Sequence, residues 1–206
     1  SIKYVAGVNI GKSSKQLINF FSDRFEGNVD QKGDHYRFTI SCSKRLIPFL
    51  EKIIPYINTK KNQATILLNW LKEGMPNKEE TYLAFKNINQ ERVYELEPAN
   101  DCIDEDPLKW AYLAGLMDTD GCFMINKRNN HNKMKSPNHT ARINFGEVDA
   151  RPLSYIRNVF PFGTVNKKDY SNTKNGRFVW ELVVIEEIKE FLNRILPYML
   201  VKKPNA

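Results

Sequence analysis

One stretch of the chain occurs twice. Phe49-Leu50-Glu51-Lys52-Ile53-Ile54-Pro55-Tyr56, followed by Lys60-Lys61, returns as Phe191-Leu192-Asn193-Arg194-Ile195-Leu196-Pro197-Tyr198, followed by Lys202-Lys203. Upstream and in the same order, Val8-Asn9-Ile10-Gly11 returns as Ile143-Asn144-Phe145-Gly146, and Arg37-Phe38 as Arg177-Phe178. A chain of 206 residues with one copy in each half reads as a diverged duplication. Duplication constrains the fold more than any local signal, because a repeated pattern predicts a repeated supersecondary unit.

The shared block has a legible order. Tyr4, Ala6, Val8 and Ile10 alternate with Lys3, Val5, Gly7 and Asn9, the period of a half-buried strand, and Ala141, Ile143 and Phe145 alternate with Arg142 and Asn144. A helix follows each strand, capped by Ser13 or Ser14 before Leu17, Ile18, Phe21 and Phe25, and by Asp149 before Leu153, Ile156 and Phe160. Each half then shows a hairpin: 28–32 returning through Gly33 to Tyr36, Phe38 and Ile40, and 164–168 returning through the polar 171–176 loop to Phe178, Trp180 and Leu182. A closing amphipathic helix carries Ile47, Leu50, Ile53 and Ile54, or Ile188, Leu192, Ile195 and Leu196. Helices are also predicted over 62–72 and 78–93. Gly7-Val8-Asn9-Ile10-Gly11-Lys12-Ser13 imitates a phosphate-binding loop, but three residues separate its glycines where that loop needs four, and the repeat pairs it with a strand.

Only the second half has two elements ahead of this block. Asp106 is an N-cap candidate and Pro107 a first helical residue, while Gly121 supplies a stop, so a helix is expected over 107–120. Ala111, Ala114 and Gly115 leave little side chain to hold a second helix away. At the far end Asp118 and Asp120 flank a tight turn, and carboxylates on a turn suit a hard cation such as Mg²⁺, usually held by one or two carboxylates plus substrate phosphates. On pattern alone the stretch also reads as a core helix with a polar last turn. A strand over 122–128 and a basic loop over 129–139 complete the extra elements.

Leu113-Ala114-Gly115-Leu116-Met117-Asp118-Thr119-Asp120-Gly121 resembles the LAGLIDADG motif of homing endonucleases, departing from it at Met117 and Thr119. The resemblance implies an α+β fold of duplicated αββαββα half-domains whose antiparallel sheets form a nucleic-acid-binding saddle. The first repeat begins at its second strand, lacking the motif helix and first strand; Ser1 is not a Met, so the N-terminus is expected to lie elsewhere. The expected organisation is a first half-domain over 1–94, an acidic linker over 95–106 and a second half-domain over 107–206. In such proteins the motif helices pack on each other, a role falling on Ala111, Ala114, Gly115 and Asp118. The last acid holds metal, a role falling on Asp120 beside Gly121, with two Mg²⁺ ions of the two-metal type once a second motif helix is supplied. Further catalytic positions fall on Lys12 and Glu147 at the ends of the second strands and on Lys44 near the start of the first closing helix; the matching position in the second half is Glu186, which departs from the pattern.

One helix-covered face leaves the other face of each sheet open. The residues assigned to that face are Lys3, Asn9, Gln31, His35, Arg37 and Thr39 in the first half, and Asn126, Arg128, Arg142, Asn144, Thr164, Asn166, Lys168 and Arg177 in the second, extended by Lys133 and Lys135 in the loop. Such side chains read base edges or hold phosphates, and a net charge of +7 favours a polyanionic partner. The readings left open are a site-specific double-strand DNA endonuclease completed by a second motif helix from another chain or from an N-terminal segment, a dimer through 107–120, and a non-cleaving RNA-binding derivative acting as an intron maturase or on ribosomal RNA. The three cysteines, Cys42, Cys102 and Cys122, fit neither a disulfide framework nor a zinc knuckle, which points to a reducing compartment, and the family is largely encoded in mitochondrial and chloroplast introns. No apolar run is long enough to span a membrane.

Overall fold

The computed structural model describes residues 5–12, 14–128, 138–168 and 176–203. The chain divides into two compact units, Ser1–Glu91 and Arg92–Ala206. No described helix is long and apolar enough to cross a membrane.

The first unit runs β1 (Val8–Lys12), α1 (Lys15–Ser22), β2 (Asn28–Lys32), β3 (His35–Ile40), α2 (Ser43–Ile53), a 3₁₀ turn (Ile54–Tyr56), α3 (Lys61–Lys72) and α4 (Lys78–Gln90). Ser14 caps α1, its Oγ accepting from Leu17 N at 3.4 Å. The strands form an antiparallel sheet in the order β1-β3-β2. Gly33, at φ +58°, turns the β2–β3 hairpin in a conformation that L side chains resist. Ile18, Phe38, Ile40, Leu46, Phe49 and Leu50 make the core, closed by Leu67 and Leu71 of α3.

The second unit runs α5 (Pro107–Asp120), β4 (Gly121–Arg128), β5 (Asn138–Glu147), α6 (Ala150–Val159), β6 (Thr164–Lys168), β7 (Arg177–Leu182), α7 (Ile185–Ile195) and a 3₁₀ turn (Leu196–Tyr198). Its sheet has four strands in the order β4-β5-β7-β6. The 95–106 stretch, read from sequence as a linker, is laid along this unit. Leu96 and Ile103 pack on its core, Glu97 N donates to Ser154 Oγ at 3.1 Å and Asp104 N donates to Val159 O at 2.9 Å.

Strand register makes the duplication concrete. Val8 faces Ile40 across β1 and β3 as Ile143 faces Leu182 across β5 and β7, so the Val8–Gly11 and Ile143–Gly146 equivalence holds. The other pairing needs correction. Lys32 faces His35 where Lys168 faces Arg177, which makes Phe38 the counterpart of Trp180 rather than of Phe178. The hairpin loop is longer in the second unit, and a two-residue slip keeps every side chain on its face. Among the described residues the first unit has no helix or strand ahead of β1, whereas β5, the counterpart of β1, is flanked by β4.

Candidate active site and nucleic-acid face

Helix α5 starts where its caps dictate. Asp106 Oδ1 accepts from Leu108 N at 2.9 Å and Pro107 occupies the first turn, where its missing N–H costs nothing. Trp110, Leu113, Ala114, Met117 and Asp118 are buried against the rest of the unit. Trp110 meets Phe160 and Phe191 with ring centroids 6.0 Å away in each case, donates from Nε1 to Asp104 O at 2.7 Å and lies under the Arg194 guanidinium. Lys109 bonds the Asp104 carboxylate at 2.5 Å and so holds that carboxyl below its usual range.

The opposite face is open. Leu108 is 59% exposed, Ala111 is half-buried, and a Cβ added at Gly115 meets nothing within 4 Å. Ala111 and Gly115 therefore lie where a second helix has access. Ala114 and Asp118 do not, because the 3.6-residue period turns them inward: Ala114 is fully buried in the core of its own unit and Asp118 is 7% exposed. That corrects their assignment to a helix–helix interface.

Asp118 is engaged by the end of the chain. Its Oδ2 accepts from Leu200 N at 2.7 Å, and its Oδ1 accepts from Val201 N at 3.1 Å and Lys202 N at 2.8 Å. The Lys202 ammonium in turn donates to three carbonyls at the motif end, Met117 at 3.0 Å, Thr119 at 3.4 Å and Gly121 at 2.6 Å. Helix C-termini gather unsatisfied carbonyls and partial negative charge, so an ammonium is at home there. Gly121 is required by close approach rather than by φ, since an added Cβ would lie 2.4 Å from Met117 Cε and 2.8 Å from Met117 Cα and O.

Asp120 sits exposed at the same end. The ladder sets Gly121 opposite Phe145, which brings the end of β5 and Glu147 to the same rim of the sheet. Glu147 is half-buried, and its Oε1 accepts from Val148 N at 2.8 Å. The other sequence-assigned catalytic residues are not gathered here. Lys44 is exposed near the start of α2, beside Arg24, Glu26 and Arg45 in the first unit, and Glu186 is exposed near the start of α7. Lys12 ends β1, and its side chain lies outside the described residues. The lysine that does reach the motif is Lys202. Sequence held a signal for it, the recurrence of Lys60-Lys61 as Lys202-Lys203, but not the contact.

A metal fits this donor set in one form only. Among the described residues no three His, Cys, Asp or Glu converge, Asp118 is spent on backbone N–H groups, and the Gly121 carbonyl carries Lys202. The exposed Asp120 carboxylate at the motif end suits Mg²⁺ completed by phosphate and water oxygens and does not suit an all-protein cage.

The open face of the second sheet agrees with the alternation read from sequence. Ile143, Phe145, Phe178, Trp180 and Leu182 are buried on the helix side. Their neighbours Arg142, Asn144 and Arg177, and through register Asn126, Thr164, Asn166 and Lys168, share the other side. Arg128 pairs with Asn138 on this ladder, its side chain outside the described residues, as are Lys3, Lys133 and Lys135. Glu181 was missed: its Oε1 holds Arg142 at 3.3 Å and Lys168 at 3.4 Å in the middle of the face. Arg177 donates to Gly146 O at 2.5 Å. In the first sheet Asn9, His35, Arg37 and Thr39 share the open side, and Thr39 Oγ1 donates to Asn9 Oδ1 at 2.8 Å. Gln31 does not belong with them, because it faces Tyr36 on the helix side; Asn28, Asp30 and Lys32 take that place.

Residues 113–204 match the family model described as LAGLIDADG endonuclease. No curated protein matches the chain. Among solved structures the chain is similar to I-SmaMI bound to an uncleaved DNA target with calcium ions, with a TM-score of 0.70 and 16% identity over 98% of this chain and 76% of that one. It is also similar to the LAGLIDADG meganuclease I-AabMI bound to uncleaved DNA, with a TM-score of 0.71 and 13% identity over 97% and 76%. Variants of I-SmaMI with one or two lysines replaced by alanine are among the similar structures. At these identities the likeness establishes the fold.

Proposed function

Because residues 113–204 match the LAGLIDADG endonuclease family model, we propose that the chain is a site-specific double-strand DNA endonuclease dependent on Mg²⁺. The observation that carries this reading is the motif end itself, where the Lys202 ammonium sits on the carbonyls of Met117, Thr119 and Gly121 beside the exposed Asp120, in the unit whose sheet presents a polar, basic face. Asp120 would hold the metal, which would supply activation of water and neutralisation of charge on the scissile phosphate.

The remaining work falls to this chain's own side chains. Arg142, Asn144, Asn126 and Lys168 line the open face, where Arg and Asn offer the paired donors and acceptors that distinguish base edges and Lys offers charge to phosphates. Glu181 fixes Arg142 and Lys168 before DNA arrives, which reduces the ordering cost of docking. The Lys202 ammonium, seated on the carbonyls at the motif end, would oppose the negative charge that grows on a phosphate bound there during displacement. The open stripe of Ala111 and Gly115 receives a second motif helix, which completes the pair of half-sites.

The test is selection from a randomised duplex library with Ca²⁺ present, followed by transfer of the enriched duplex to Mg²⁺. Enrichment of one long site and cutting of both strands in Mg²⁺ supports the reading. Enrichment of structured RNA instead, with no cutting of any duplex, overturns it in favour of an RNA-binding derivative.

A further inference from the structure

We propose that Asp118 is a positioning residue that sets the Lys202 ammonium at the catalytic rim by clamping the backbone from which that side chain springs. The chemical consequence rests on the nuclease reading above; the clamp itself does not.

A lysine side chain has four rotatable bonds and loses much rotamer freedom when held, so an exposed lysine seldom stays in one place. Lys202 is held at both ends. Its ammonium meets the carbonyls of Met117, Thr119 and Gly121, and its own backbone N–H is the third donor to Asp118 after those of Leu200 and Val201. Met199, just ahead of the clamp, is anchored at 3% exposure in the core. Three convergent N–H groups on a carboxylate are charge-assisted bonds, about twice as strong as neutral ones. The pattern also explains why an acid stands there. An asparagine offers one oxygen and turns an NH₂ group toward a third N–H, which leaves a donor facing a donor.

The two acids of the motif therefore divide the work. Asp120 faces outward for metal and phosphate. Asp118 faces inward and holds the chain segment that delivers the ammonium.

The experiment uses the full chain and three variants, Asp118→Asn, Asp118→Glu and Lys202→Met. Amide hydrogen exchange at Leu200, Val201 and Lys202 and ¹⁵N relaxation of the Lys202 ammonium read the clamp without any reaction. Single-turnover cutting at saturating DNA, with DNA affinity measured in Ca²⁺, reads its consequence. Asp118→Asn is expected to speed exchange at these three amides while leaving α7 protected, to mobilise the ammonium, and to slow cutting about 100-fold with unchanged DNA affinity, the scale of a small misplacement. Lys202→Met is expected to slow cutting comparably while the amides stay protected, which separates loss of the ammonium from loss of the fold. Asp118→Glu, which keeps the charge, is expected to recover part of both readouts. Protected amides and an ordered ammonium in Asp118→Asn overturn the clamp. A mobile ammonium with wild-type cutting overturns its role in positioning. If the wild type cuts no DNA, the nuclease reading fails, and the exchange and relaxation data still decide the clamp.

Discussion

Phe25 and Phe49 meet edge to face with ring centroids 4.9 Å apart, and Phe160 and Phe191 repeat the contact at 5.2 Å in the second unit. The pairs follow α1 and α6 and sit on α2 and α7, so they are equivalent positions of the duplication. One partner differs. In the second unit Trp110 covers the pair beneath Arg194. In the first unit Phe25, Phe49 and Lys52 line an open cavity of about 250 Å³ instead.

Removing the ring from the two copies is therefore expected to cost unequally. Phe191→Ala should lose about 3–5 kcal/mol as a buried aromatic deletion, and Phe49→Ala should lose less, because its ring already borders a cavity. Chemical denaturation of the two variants measures this, and an equal or larger loss for Phe49→Ala contradicts it.

Gly121→Ala is expected to destabilise the motif end by roughly 1–3 kcal/mol, since the new Cβ enters Met117 atoms that are backbone as well as side chain. Gly115→Ala, with open space around it, should be neutral or slightly stabilising as a helix substitution. Thermal unfolding of the pair tests the contrast; equal melting points would show that the close approach at Gly121 is not there.

How much of this was legible depended on where the signal lived. The boundaries of α5 were readable because Asp106, Pro107 and Gly121 act locally. The inner and outer faces of β5 and β7 were readable because one side is buried, which writes alternation into the sequence. Gln31 was misplaced because every residue of β2 is exposed, so its alternation carries no sign. Phe38 was matched to Phe178 because a slip of two preserves the face. The inward turn of Asp118 and the reach of Lys202 join residues more than eighty positions apart, a distance at which periodicity says nothing.

Acid should loosen the second unit. Lys109 holds the Asp104 carboxyl low by a hydrogen bond, and Arg194 does the same for Glu105. Burial by itself raises Asp149, but Arg151 and backbone N–H groups outweigh it and leave that carboxyl lowered too. A lowered folded value means stability present above the ordinary carboxylate range of about pH 4 and lost as pH falls through the folded values. Asp149→Asn should flatten the fall in melting temperature between about pH 4 and pH 2; an unchanged slope would contradict the assignment.

On the sheet face, Lys168→Ala is expected to weaken DNA binding across all sequences and to reduce the dependence of affinity on salt by about one ion. Arg142→Ala should instead relax preference at a single base pair, worth about 1–3 kcal/mol. Binding measured over a salt series and a set of single-substituted duplexes separates the two; a uniform loss from both variants would place Arg142 on phosphate.

The central claim, that this rim is a metal-dependent nuclease centre built on Asp120, is tested most directly by cutting of the selected duplex in Mg²⁺ by the wild type and by Asp120→Asn at equal DNA occupancy. The account predicts cleavage of both strands by the wild type and none by the variant, with affinity in Ca²⁺ retained. Undiminished cleavage by Asp120→Asn would contradict it.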